Sequence, residues 1–157
     1  MTKNNNMKTI ILASASLRRK ELLKIAGLKF KVEPSNYEEN ISPELEPHEL
    51  AKWLSSEKAK LVAKNHKNAL VIAADTFIVL EGKILGKPPT ETEARKMLET
   101  ISGRQHSVIT GFTILDTENN KALSKSVETK VYIRKLTSNE IDVYVRSKEP
   151  LDKAGAY

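Results

Sequence analysis

Thr9-Ile10-Ile11-Leu12-Ala13-Ser14-Ala15-Ser16-Leu17-Arg18-Arg19 joins an apolar run to a basic one through two hydroxyls. Thr9 to Ala13 reads as a short buried strand, since a continuous apolar run suits a strand covered on both faces. Leu17 to Ala26 reads as a helix, with Leu22, Leu23 and Ala26 as its apolar stripe and Gly27 as its stop. The loop between them offers backbone N–H groups, the Ser14 and Ser16 hydroxyls and the Arg18 and Arg19 guanidinium groups near a helix N-terminus, where negative charge is favoured. Arginine holds phosphate oxygens in bidentate fashion, so the stretch suits a phosphate ester. A plain serine cap with both arginines on a solvated face is the competing reading.

Outward from this stretch, strands and helices alternate early and strands dominate later. Lys29 to Glu33 alternates charged and apolar residues, as a half-exposed strand does. Pro34 to Pro43 is an acidic loop, and Pro47 suits the first turn of a helix that runs to about Lys64. Ala69 to Ala74 reads as a central strand that stays extended from Thr76 to Leu80. Glu81-Gly82-Lys83 then turns it back on Ile84-Leu85. Thr90 with Glu93, and Thr137 with Glu140, have the spacing of capping boxes at the starts of two further helices. Between those helices lie two long strands, Gln105 to Leu115 and Leu123 to Arg134. Hairpins and helix-connected strands together give an α/β (α+β) class with a mixed sheet.

Composition narrows the function. The chain has 157 residues, no cysteine and a net charge of +6, which leaves out disulfides and thiolate metal sites. Its 20 acidic residues are interspersed with 26 basic ones, and aromatics make up only 5%. That favours a small anionic substrate over a nucleic-acid polymer, which is recognised by basic stripes and aromatic stacking. No apolar run approaches a membrane span, and Met1 to Lys8 lacks the apolar centre of a signal peptide. A cytoplasmic protein without a membrane partner is therefore expected; a homodimer is left open. The chain stops at Gly155-Ala156-Tyr157 without a closing element, so it reads as an interrupted sequence.

Asp75 ends the apolar run Val71-Ile72-Ala73-Ala74. A carboxylate there needs a compensating cation, and strand C-termini are where α/β proteins place ligands. A turn residue is the ordinary alternative, but the β-branched and aromatic run after it starts no helix. Lys58 falls on one helical face with Leu50, Leu54 and Leu61, either snorkelling to solvent or aimed into a cleft. Lys87 precedes Pro88-Pro89, which restrain its direction. Glu38-Glu39 offers adjacent carboxylates to a divalent cation, or simply forms a solvated acidic loop. His48, His66 and His106 lack metal-ligand spacing, and there is no phosphate-binding glycine loop or nucleophile elbow. Cationic side chains and hydroxyls to hold phosphates, beside carboxylates to hold a metal or activate water, suit hydrolysis of a phosphoanhydride.

Ser14-Ala15-Ser16-Leu17-Arg18-Arg19, Glu57-Lys58-Ala59, Ala74-Asp75-Thr76, Gly86-Lys87-Pro88, Ser102-Gly103-Arg104-Gln105-His106 and Leu151-Asp152-Lys153-Ala154-Gly155-Ala156-Tyr157 occur in one order along nearly the whole chain. In these stretches it resembles the Maf family of nucleotide pyrophosphatases. The resemblance implies a single domain over 1–157 without the family's C-terminal segment. It implies an elongated two-lobed fold, like that of inosine-triphosphate pyrophosphatases, with a central cleft. It also implies cleavage of a nucleoside triphosphate to monophosphate and pyrophosphate with Mg2+ or Mn2+. Asp75 would accept the proton of water, and Arg18 and Thr76 would set base preference. Ser14, Ser16, Arg19, Lys58 and Lys87 would bind substrate, and Glu39 would help hold the metal together with Asp75. The pair Asp75-Thr76 looks like the branch acting on dTTP and UTP rather than on 7-methyl-GTP. Leu17 replaces the family's usual proline, and the family's later Gly-Ile-Gln-Gly, whose glutamine helps select the base, does not occur. A nucleotide-binding regulator of septum formation and a basic RNA-binding module are the competing classes.

Overall fold

The computed structural model describes residues 8–37 and 44–157. The elements run β1 (Thr9–Leu12), α1 (Leu17–Ile25), β2 (Lys31–Val32), α2 (Pro47–Ala63), β3 (Ala69–Leu80), β4 (Lys83–Leu85), α3 (Glu91–Ile101), β5 (Gln105–Asp116), β6 (Lys121–Tyr132) and α4 (Ser138–Arg146), followed by two 3-10 turns, Glu149–Asp152 and Ala154–Ala156. The strands form one mixed sheet in the order β2-β1-β3-β5-β6, with β4 paired to β3. β1 is parallel to both neighbours, pairing Thr9 with Ala69 and Leu12 with Ile72 on one side and Leu12 with Val32 on the other. β4 returns antiparallel, pairing Leu80 with Lys83, which is the expected hairpin.

Local chemistry accounts for most element boundaries. Pro47 opens α2, where its missing N–H costs no intrahelical bond. At α4, Thr137 Oγ1 accepts from Glu140 N–H at 3.3 Å, and Glu140 Oε2 accepts from Thr137 N–H at 2.8 Å, the full box read from the sequence. At α3 the hydroxyl half is made, Thr90 Oγ1 accepting from Glu93 N–H at 3.2 Å, while the Thr90 hydroxyl itself faces the Glu93 carboxylate at 3.5 Å.

Two expectations need correction. α1 has no buried residue, and Leu22 is 64% exposed, so the stripe of Leu22, Leu23 and Ala26 does not serve as a core face. Its apolar residues at 17, 22, 23 and 25 spread around the helix instead of lining one side. β2 shrinks to Lys31–Val32, both exposed, because only these residues pair with β1.

The chain divides into two compact units, one holding residues up to Asp75 with Gly111–Ser126, the other Thr76–Thr110 with Val127–Tyr157. In the first, Ile11, Ala13, Val71 and Ala73 from β1 and β3 pack with Ala59 and Val62 of α2 and with Leu115. Gly111 of β5 lets α2 lie directly on the strand: a Cβ at this position would come 2.1 Å from the Ala51 carbonyl oxygen. In the second unit, Leu80, Ala94, Leu98, Ile101, Ile141 and Val145 form the core. Beside them His106, only 3% exposed, has Nε2 2.5 Å from the Tyr157 hydroxyl. Its Nδ1 is buried without a hydrogen-bond partner among the described residues. Burial lowers the His106 pKa and raises that of Tyr157, so both groups are held neutral.

Gly111→Ala is expected to destabilise the chain by about 1–3 kcal/mol, because the opposing atoms are backbone and cannot rotate away. Urea unfolding measures this, and an unchanged midpoint contradicts the close approach. A second expectation concerns pH. His106 stays neutral in the fold but takes a proton in the unfolded chain near its ordinary value of about 6.5, so its contribution is complete above that value and is lost as pH falls below it. The unfolding temperature should decline between about pH 7 and 5, and decline less steeply in His106→Leu. Equal slopes contradict a buried neutral imidazole.

Candidate active site

The β1–α1 loop is organised around Ser14, which is 7% exposed. Its Oγ accepts from Ser16 N–H at 3.2 Å and from Arg19 Nη1 at 3.3 Å. Accepting twice leaves the Ser14 hydrogen as a donor. Ser16 is the cap of α1, its Oγ accepting from Arg19 N–H at 3.5 Å. Arg19 reaches across to β3, where Nη1 donates to the Ala74 carbonyl at 2.7 Å. A single guanidinium therefore links the loop to the residue just before Asp75. Burial pushes the Arg19 pKa down, with the Asp75 charge opposing the shift and that of Arg18 adding to it. Arg18 projects from the exposed side of α1.

Asp75 does not end its strand as the sequence suggested: it lies inside β3, which runs on to Leu80 with Phe77, Ile78 and Leu80 buried. Its carboxylate is ion-paired with the Lys58 ammonium, and the two side chains are 13% and 15% exposed. Lys58 is thus turned toward the sheet, the second of the two possibilities its position on α2 allowed. Leu50 and Leu54 of the expected stripe are buried, and Leu61 is half-buried. Ser14, Ser16, Arg19, Lys58 and Asp75 all belong to the first unit, where contacts through Arg19 and Lys58 join loop, helix and strand.

In the second unit, Thr76 Oγ1 is 3.0 Å from Thr110 Oγ1 of β5. Lys87 is exposed and pairs with Asp152 at 2.6 Å, both side chains more than half in solvent. Such a pair holds its lysine weakly. Glu39 lies outside the described residues. Among the described residues no cluster of three or more histidines and carboxylates could hold a metal unaided. A Mg2+-type ion asks for less, since it commonly takes one or two carboxylates with water and substrate phosphates. The hard oxygen donors of Asp75 fit that role.

Sequence reasoning missed four side-chain contacts. Ser55 of α2 and Thr113 of β5, both fully buried, place their hydroxyls 2.8 Å apart, and Thr113 Oγ1 is 2.8 Å from Ser124 Oγ. The others are Thr110 behind Thr76 and the His106–Tyr157 pair. One signal was available: Ser55 is four residues after Ala51 and four before Ala59, a polar residue in a helical face of small ones.

Comparison with known proteins agrees with the sequence motifs. Residues 9–157 match the family described as Maf-like protein. The chain is 49% identical over 152 residues to a dTTP/UTP pyrophosphatase of Methanosarcina barkeri, covering 96% of this chain and 77% of that protein. It is 46% identical to the dTTP/UTP pyrophosphatase of Bacillus cereus (strain ATCC 10987 / NRS 248), over 97% of this chain and 74% of that one. The corresponding figures for the dTTP/UTP pyrophosphatase of Methanococcoides burtonii are 49%, 96% and 78%. Matched by the family over residues 9–157 and by these relatives along almost its whole length, the chain belongs to the Maf-like protein family.

Proposed function

We propose that this protein hydrolyses dTTP and UTP to the nucleoside monophosphate and pyrophosphate. The observation that carries the reading is the Asp75 carboxylate, largely withdrawn from solvent and ion-paired with Lys58, next to a residue whose carbonyl is held by Arg19. An anion joining this cluster meets two fixed cations and the Ser14 hydroxyl. The relatives named for the same two substrates supply the nucleotide class.

Water attacks the α-phosphorus. The new bond joins the water oxygen to that phosphorus, and the bond from phosphorus to the bridging oxygen breaks. Its electron pair leaves with pyrophosphate, and the proton of water passes to an Asp75 oxygen. Lys58 has a double use in this scheme. In the resting protein its ammonium faces the Asp75 carboxylate; when phosphate oxygens arrive, the ammonium turns part of its charge to them and the carboxylate receives the proton of water. Arg19 and Ser14 bind phosphate oxygens, with Ser16 fixing the loop. A divalent ion such as Mg2+ or Mn2+, held by Asp75 with Glu39, would neutralise phosphate charge when bound. The same reading gives Arg18 and Thr76 a part in base preference and Lys87 a phosphate contact. Among the described residues no helix is long and apolar enough to cross a membrane, and none of these roles requires one.

Asp75→Asn keeps the shape of the side chain and removes the base. Pyrophosphate release from dTTP should fall by about 10²–10⁴-fold. Circular dichroism should show retained fold, with some loss of thermal stability because Lys58 keeps its charge without its counter-ion. Turnover by folded Asp75→Asn contradicts the assignment. Across a panel of dTTP, UTP, CTP and 7-methyl-GTP, the first two should be the preferred substrates. Stabilisation by nucleotide without any pyrophosphate release would favour a binding regulator instead.

A further inference from the structure

We infer that Thr113 and Ser55 are positioning residues whose buried hydroxyls hold α2 at the one height on the sheet that seats Lys58 on Asp75; the catalytic consequence rests on the reading of Asp75 as base. The hydroxyls form a chain with a fixed direction. Ser55 Oγ lies 2.9 Å from the Lys52 carbonyl oxygen, which can only accept, so the single Ser55 hydrogen is used there. At 2.8 Å from Ser55, Thr113 must therefore donate, and at 2.8 Å from Thr113, Ser124 must donate in turn. The run Ser124 to Thr113 to Ser55 to Lys52 uses each hydroxyl once as donor. Ser55 and Thr113 are both 0% exposed, so no solvent replaces a broken link.

This chain crosses from β5 and β6 to α2, three residues before Lys58. Residues three apart share a helix face, so the hydroxyl that meets β5 and the ammonium that meets β3 project from the same side of α2. Gly111 sets how close the helix comes, since no Cβ fits beneath the Ala51 carbonyl. It does not alone set the height: the row Ala51, Ser55 and Ala59 is small and offers little interlocking of its own, with Leu50, Leu54 and Val62 buried beside it. The hydroxyl chain adds a directional constraint along that row. Sliding α2 by one residue, about 1.5 Å, breaks hydrogen bonds whose length is tightly limited and carries the Lys58 stem with it.

The test compares Thr113→Val, which keeps shape and removes the hydroxyl, with Thr113→Ser, which keeps the hydroxyl. Thr113→Val should remain folded, with kcat for dTTP lowered by about 10- to 100-fold and KM little changed, as expected when a reacting group is misplaced by about an ångström. Thr113→Ser should recover most of that loss. A readout independent of turnover is the Lys58 ammonium resonance in 15N-lysine-labelled protein without nucleotide. It should show the slow exchange of a paired ammonium in wild type and Thr113→Ser, and lose it in Thr113→Val. If Thr113→Val fails to fold, Ser55→Ala, which cuts the same link from the helix side, is read in the same way. An unchanged Lys58 resonance in the folded variant, or a Thr113→Ser as impaired as Thr113→Val, overturns the positioning role. Because the resonance is recorded without substrate, it reports on the seating of Lys58 even where Asp75 fails as the base.

Discussion

A carboxylate set within a largely buried strand is the constraint around which the first unit is arranged. Ala69 to Ala74 requires apolar cover on both faces, and α2 supplies it on one, with Ala59 and Val62 against Val71 and Ala73. Asp75 comes next, at the point where that cover would leave an ionised group poorly hydrated. An isolated charge there is costly, whereas one facing an ammonium from the covering helix is not. The helix that seals the strand thus also brings the counter-charge. Its closeness depends on a missing side chain at Gly111, and a hydrogen bond between Ser55 and Thr113 joins it to β5.

The pair differs from a purely structural salt bridge in its surroundings. Arg19 comes from another element to the carbonyl beside Asp75 and shares its guanidinium with the Ser14 hydroxyl. Two cations, Arg19 and Lys58, therefore meet the chain at Ala74 and Asp75. Fixed cations placed in this way favour a polyanion that enters. An ion pair able to trade one anion for two is suited to exposing its own carboxylate when substrate is present.

Much of this was legible in the sequence because it is local. The β1 strand, the β3–β4 hairpin and the α4 cap follow from periodicity and turn chemistry, and Asp75 declared itself as a charge directly after an apolar run with no turn or helix start behind it. Lys58 was visible as a charged residue on an apolar helical stripe, but not its partner, which is 17 residues away. The Ser55–Thr113 bond joins residues 58 apart and the His106–Tyr157 contact residues 51 apart. No propensity encodes such pairs; they exist only once the sheet has set which strands are neighbours. The exposed face of α1 shows the reverse case, in which leucines suggested burial that no described element provides.

Hydrolysis in water enriched in 18O tests the central claim most directly, by locating the oxygen that enters. If water activated by Asp75 attacks the α-phosphorus, the label appears in the nucleoside monophosphate and pyrophosphate leaves unlabelled. Label in pyrophosphate, or in inorganic phosphate released from the triphosphate end, would contradict the account.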